Sequence, residues 1–536
     1  MKKFGNPLIY LLLILLNINN LYAQKSAPAQ PKLVVGIVID GLQQRHIDLL
    51  WNKLKTNGLK KIIENGATFS QIQYNMIAAG KSADYATLVT GATPYSNGVV
   101  GDFYFNKNTK KIESILQDNS QAGIGANQRF SAKNLLSSTF TDELKMAEPS
   151  ARVYAVAIDP ETAIMLGGHT ANGVVWADDG AMRWVTTSYY NGGLVREADQ
   201  MNVNQRFTTE SYSYWKPLYD INTYLNKPIT EGITGTRFRY DMRVNTENGK
   251  TSALLKSAPM INSLVCELAG SIITQEKLGQ QAATDVIFLE FTVRPPNENT
   301  TSMKSAEKED MYYRLDADVE NLLNTIDKTA GIANTLIFIT SNQTPTHSAK
   351  ELQDNGIPSG YFSPNRSMSL LNLYLMAIYG HEQWIAGYYG KNIYLNRDKI
   401  QEKKLNLNEM QRTVAGFMTE FEGVQAAYSA DQIQVMSGNP SDETSRIRNS
   451  YQKIGASDVV ISLLPGWQEV DENDNPVGTV NSGVSTAPIY FYGWKIPKMI
   501  SAEKYFMTDF APTISKMLDI PAPNANMGTP MQMDAR

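Results

Sequence analysis

Leu33-Val-Val-Gly-Ile-Val-Ile-Asp40-Gly41 reads as a strand buried on both faces. It is a continuous apolar, largely β-branched run that ends in a carboxylate followed by glycine. Outward from it, Ile47, Leu50 and Leu54 recur at helical spacing, Gly66 ends a second helical stretch, and 69–74 alternates like a strand. Residues 82–90 predict the next helix. This βαβα order predicts an α/β fold: a mostly parallel central sheet with helices on both faces. Later apolar runs at 285–292 and 335–340 supply more strands, separated by a helix whose face carries Met311, Leu315, Val319, Leu322 and Ile326. Strands 33–39, 153–158, 285–292, 335–340 and 487–492 are expected to be neighbours in one sheet, and a short helix over 510–518 closes the chain.

Between these pieces, 160–280 is rich in Tyr, Trp, Asn and Thr, and 345–480 is broken by Gly, Pro and Asn. Both are expected to be caps inserted into a single domain running over 33–536. No fixed-period repeat or low-complexity tract is visible. The aromatic segment 212–219, with Tyr214 and Trp215, reads as packing.

The chain has 536 residues, 42% of them apolar and 19% charged, which excludes bulk disorder. A net charge of −4 gives no basis for nucleic-acid binding. Lys2 and Lys3, the short apolar run 8–16 and Leu21-Tyr-Ala23 form a secretory signal peptide over 1–23, with 24–32 as a linker. A periplasmic or secreted location is expected, with no transmembrane span once the signal is removed. Cys266 is the only cysteine, so no internal disulfide can form, and its apolar setting reads as a small buried hydrophobe.

Taken in order, the opening strand, Ala86-Thr-Leu-Val-Thr90-Gly91-Ala-Thr93-Pro94, Gly98-Val-Val-Gly101, Gly168-His169-Thr-Ala171-Asn172, Tyr313-Arg314-Leu315-Asp316 and Thr508-Asp509-Phe-Ala511-Pro512 resemble the alkaline phosphatase superfamily in its phosphodiesterase/nucleotide pyrophosphatase branch. That resemblance implies two zinc ions at the C-terminal ends of the strands, held by Asp and His around a Thr or Ser nucleophile. Asp40 alone keeps its ligand identity. The nucleophile position falls on Lys81, with Ser82 the nearest hydroxyl. The Asp-x-x-x-His pair falls on Val293 and Asn297, the Asp-His pair on Asn342-Gln343, and the last His on Thr486. The Lys and Arg that clamp phosphate in some members fall on Asp159 and Glu161, with inverted charge. His46, His169, His347 and His381, the only histidines, lie elsewhere and read as surface or core residues.

This ligand arithmetic predicts a catalytically inactive protein without zinc, acting as a binding or scaffold protein with an envelope protein partner. Two alternatives stay open: a hydrolase of phosphate mono- or diesters with a remodelled metal site and Ser82 as nucleophile, and a sensor holding a neutral or cationic small ligand. Lys81 is expected to replace the lost metal charge through an ion pair with Asp40, completed by Asn342 and Gln343.

Overall fold

The β-branched apolar run Leu33–Asp40 (β1) is buried at every position and lies at the centre of an eleven-stranded sheet. This computed structural model describes residues 29–533 except 181, 191, 230–237, 243–250, 297–304, 344–346, 440–441, 452–455, 479 and 481–482, and not the side chains of 251–253. The expected signal peptide and most of the linker therefore lie outside the described residues. Among the described residues no helix is long and apolar enough to cross a membrane.

The remaining main strands are Ala67–Gln73 (β2), Val153–Ala157 (β3), Gly173–Ala177 (β4), Trp184–Thr187 (β5), Asp285–Thr292 (β6), Thr335–Thr340 (β7) and Thr486–Gly493 (β8). Their spatial order is β2-β8-β7-β1-β6-β3-β4-β5, with Met499–Ser501 and Gly123–Ile124 at the two edges. The five strands expected to be neighbours are consecutive in this order. The ladders among β7, β1, β6, β3 and β4 are parallel, whereas β8 and β5 run antiparallel to their neighbours.

Helices cover both faces, as a largely parallel sheet requires. Pro259–Gln275 and Ala306–Thr329 pack with the β1 residues Leu33, Val35, Ile37 and Ile39 in one core. Lys81–Thr90 (α1), Pro160–Gly167 (α2) and Phe510–Leu518 pack with Val34 and Val38 in the other.

One expectation fails here. Composition places the start of the first cap at about 160, whereas β4 and β5, reached through α2, continue the main sheet beyond β3. The aromatic composition misled, because Trp176 and Trp184 are sheet residues with their rings wholly buried. Ile385–Tyr389, Asn392–Leu395, Val424–Ser429 and Val459–Leu463 form a separate four-stranded sheet with its own apolar core. Trp215 is buried and donates its indole N–H to Asp310 at 2.7 Å, in keeping with a packing role.

Gly36 shows how tightly the central strand is gripped. A Cβ added there would sit 2.5 Å from the Phe338 ring and 2.6 Å from that of Phe288. Gly36→Ala is expected to lower the free energy of unfolding by about 1–3 kcal/mol through overpacking, read as a lower urea midpoint with unchanged slope. An unchanged midpoint would show that the two rings can part.

Candidate functional site

Parallel ladders bring the C-terminal ends of β1, β3, β6 and β7 to one rim of the sheet, where open α/β folds place their sites. Asp40 ends β1 and pairs in register with Thr292 at the end of β6. Asp159 follows β3 and precedes α2. Asn342 and Gln343 follow β7. Lys81 is the first residue of α1.

A lysine at a helix N-terminus opposes the helix dipole, so local preference does not explain it. Tertiary contacts do. Lys81 Nζ lies 3.1 Å from Asp40, 2.7 Å from Asp159 and 2.8 Å from Glu290. Burial opposes its charge, yet these carboxylates hold its pKa well above the usual lysine value. For Asp40, burial again opposes ionisation, but Arg294, 3.3 Å away, and Lys81 hold its carboxyl below the ordinary range. Lys256 extends the cluster, 3.2 Å from Asp159 and 2.6 Å from Asp179. A groove of about 260 Å³ opens here, lined by Asp40, Lys81, Asp159, Lys256, Thr292 and Arg294.

Glu290 is the deepest member. It is fully buried on β6 and accepts from Lys81, from the amides of Ile158 at 2.9 Å and Asp159 at 3.0 Å, and from the Thr162 hydroxyl at 2.8 Å. Its pKa is nevertheless raised, with burial the largest cause. Sequence reasoning missed it, although a carboxylate inside the apolar run 285–292 was a visible signal: buried charge persists only where it is paired. Arg294, Lys256 and Asp102 were missed as well. Asp102 accepts the Ser82 amide at 2.8 Å and so caps α1. Gly80, at φ +126, makes room for it, since a Cβ there would lie 2.1 Å from the Asp102 carboxylate.

Several predicted site residues sit elsewhere. Val293 is buried in the apolar core, so its flanking neighbours Thr292 and Arg294 line the groove instead. Ser82 is wholly buried on α1, which removes it as an accessible nucleophile. Asn342 lies beside Asp40 and its amide oxygen accepts from the Gly41 amide at 3.3 Å. Gln343 does not join the Asp40 network. Its backbone and side-chain N–H groups both donate at 2.8 Å to Asp84. Thr486 begins β8 and pairs with Gln73, and it is neither an ion-pair partner of Lys81 nor part of the groove lining. Asn297 lies outside the described residues.

Two of the histidines are occupied structurally. His46 meets the Tyr312 hydroxyl at 3.0 Å in the core. His169 places one ring nitrogen 2.7 Å from Asp142 and the other 2.9 Å from the Leu135 carbonyl. Both partners are acceptors, which favours the doubly protonated ring and raises its pKa, with the Asp142 hydrogen bond the largest cause.

Two acids near Lys81 have displaced acidities. Burial, then Asp159 and Asp102, push Glu161 in the first turn of α2 up to about 7. Burial pushes Asp84 up to about 8, despite its hydrogen bonds from Gln343.

The residues present do not fit the zinc pair that the resemblance implies. An ammonium stands among Asp40, Asp159 and Glu290, where a metal would have to displace it. The amides of Asn342 and Gln343 are poor zinc ligands. Among the described residues no three His, Cys, Asp or Glu side chains form a metal-binding group.

A largely parallel sheet with its polar site at the strands' C-terminal ends is the arrangement of an open α/β protein whose site lies at that rim. The chain belongs to the type I phosphodiesterase / nucleotide pyrophosphatase family, which matches residues 34–485. It is 27% identical over 544 residues to alkaline phosphatase PafA of Elizabethkingia meningoseptica, covering 98% of both chains. It is 28% identical over 514 residues to alkaline phosphatase PhoV of Synechococcus elongatus, covering 93% of this chain and 92% of that one. The crystal structure of wild-type PafA matches with a TM-score of 0.85 at 26% identity, over 94% of this chain and 98% of that one.

These relatives overturn the expectation of a catalytically inactive protein. Alkaline phosphatases match the chain almost from end to end and share its fold. The replaced ligands establish only that a zinc pair does not fit the donors. They do not establish that the site is inert.

Proposed function

We propose that this chain is a phosphate-ester hydrolase whose site uses fixed protein charge in place of the zinc pair that the resemblance implies. The observation that carries this reading is the groove at the strand ends, where Lys81, Lys256 and Arg294 converge around Asp40 and Asp159. Ammonium and guanidinium groups can stabilise the charge that a phosphoryl group develops during transfer. Arg294 offers a planar fork of N–H donors suited to phosphoryl oxygens. Asp40 and Asp159 hold these cations in place before substrate arrives, which limits reorganisation during reaction.

With Ser82 buried, water is the attacking group: its oxygen bonds to phosphorus as the ester P–O bond breaks, and the departing alkoxide takes a proton from solvent. Glu161, pushed up to about 7 and two residues along from the groove-lining Asp159, takes the water's proton. Glu161 leaves negative charge at a position that clamps phosphate in some family members, whereas Asp159 is paired with Lys81 and Lys256. Substrates therefore carry little negative charge beyond the phosphoryl group itself, which favours esters of neutral or cationic alcohols. The leader over 1–23 supports export to the periplasm or beyond.

The test is hydrolysis of p-nitrophenyl phosphate and bis-p-nitrophenyl phosphate by purified protein, with and without a chelator. Turnover should survive the chelator and fall by about 100-fold or more in Arg294→Met, the scale for losing one oxyanion-stabilising donor. No turnover above the buffer rate, or turnover unchanged in Arg294→Met, would sink the proposal. Complete loss with the chelator would return metal to the mechanism.

A further inference from the structure

A second cavity, of about 420 Å³, lies where the strand-end rim meets the inserted sheet, and its wall includes Gly80, the residue before Lys81. Its chemistry differs from that of the groove. Tyr104 and Tyr389 present aromatic surface, and Asp102 and Glu469 contribute carboxylates against Lys391, the one cationic residue among the described residues of the wall. These features come from two parts of the molecule. Asp102 leads into, and Tyr104 lies on, a separate hairpin of Phe103–Asn106 and Lys111–Ser114, whereas Tyr389 and Lys391 belong to the hairpin made by Ile385–Tyr389 and Asn392–Leu395. The carboxylates are built in rather than solvated at the surface. Glu469 is 8% exposed and accepts the Tyr388 hydroxyl. Asp102 is held against the start of α1 by the Ser82 amide.

We propose that this cavity binds an organic cation with an apolar body, a quaternary or aryl ammonium group, between the tyrosine rings and the two carboxylates. Aromatic faces attract a cation through their quadrupole, more strongly when water is excluded. An excess of carboxylate over ammonium selects cations over anions of the same shape. Because Asp102 touches the start of α1 at Ser82, directly after Lys81, a phosphate ester of such an alcohol spans both spaces, its phosphoryl in the groove and its cationic end here. That last role rests on the phosphoesterase reading, whereas the binding itself does not.

The probe is benzyltrimethylammonium, titrated calorimetrically into the full exported chain alongside benzyl alcohol and benzoate at equal ionic strength. Saturable one-to-one binding is expected, about tenfold tighter than for benzyl alcohol, the scale of one cation–π contact, with benzoate weakest. Glu469→Gln and Tyr389→Leu should each weaken the ammonium by about fivefold or more. Leucine keeps the apolar bulk while removing the ring face. Absence of saturable heat, equal affinity for benzyl alcohol, or wild-type affinity in both variants would overturn the proposal. A chain that binds the ammonium but hydrolyses no ester refutes only the catalytic reading. One that hydrolyses p-nitrophenyl phosphate but ignores the ammonium refutes only this site.

Discussion

Lys81→Ala is expected to lower the free energy of unfolding by about 3–5 kcal/mol, the range for removing one partner from a buried ion pair. The loss is large because Lys81 serves Asp40, Asp159 and Glu290 at once. Glu290 is entirely inaccessible, and the Lys81 side chain is only 18% exposed. Asp40→Asn should cost less, roughly 1–2 kcal/mol, since Lys81 then keeps two carboxylates. The Lys81→Ala deficit should also depend on pH. Without the ammonium, the carboxyls stay protonated to higher pH in the folded state than in the unfolded chain. Their contribution is then harmless in acid and increasingly unfavourable as pH rises through the raised folded pKa. Urea melts of Lys81→Ala should therefore approach wild type near pH 5 and diverge from it near pH 8. A pH-independent loss below 1 kcal/mol would show that the cluster is a solvated surface network.

The Lys81 pairing with Asp40 was legible because both residues lie in sequence motifs with fixed positions on the fold, one closing the first strand and one opening α1. The same motifs located Asp159 but misjudged it. Its inverted charge reads as repulsive to phosphate, yet in three dimensions it is the partner of Lys81 and Lys256. Nothing in sequence ties Lys256 to Asp159, because their contact depends on how a distant segment packs over the rim. Glu290 was hidden by its surroundings: an apolar run reads as strand, and attention to its ends passes over the carboxylate within it. Val293 was an error of one position. On a strand end, adjacent side chains face opposite ways, so one step separates the core from the groove. The start of the first cap failed for a similar reason, since composition cannot distinguish aromatic residues packed in a sheet from those in an insertion.

Glu161→Gln is expected to separate stability from function. Glu161 titrates near 7 in the folded protein, above the ordinary glutamate value of about 4.3. Between those values the folded state binds the extra proton, so stability falls as pH rises through that window. Above it, the wild-type protein carries a charge that burial and the neighbouring Asp159 and Asp102 disfavour. The glutamine variant lacks that charge. It should match wild type near pH 4 and exceed it near pH 8 by roughly 2 kcal/mol, a figure reduced for partial exposure. Ester hydrolysis should move the other way. The rate of the wild-type protein should rise with pH through about 7 as the carboxylate forms, and the variant should lose that rise together with about 100-fold or more of the rate at pH 8. A residue retained at a cost to folding and needed for turnover is expected of a working site. A variant that is both more stable and equally active would leave Glu161 without a catalytic role and would move the proton acceptor to a residue that lines the groove.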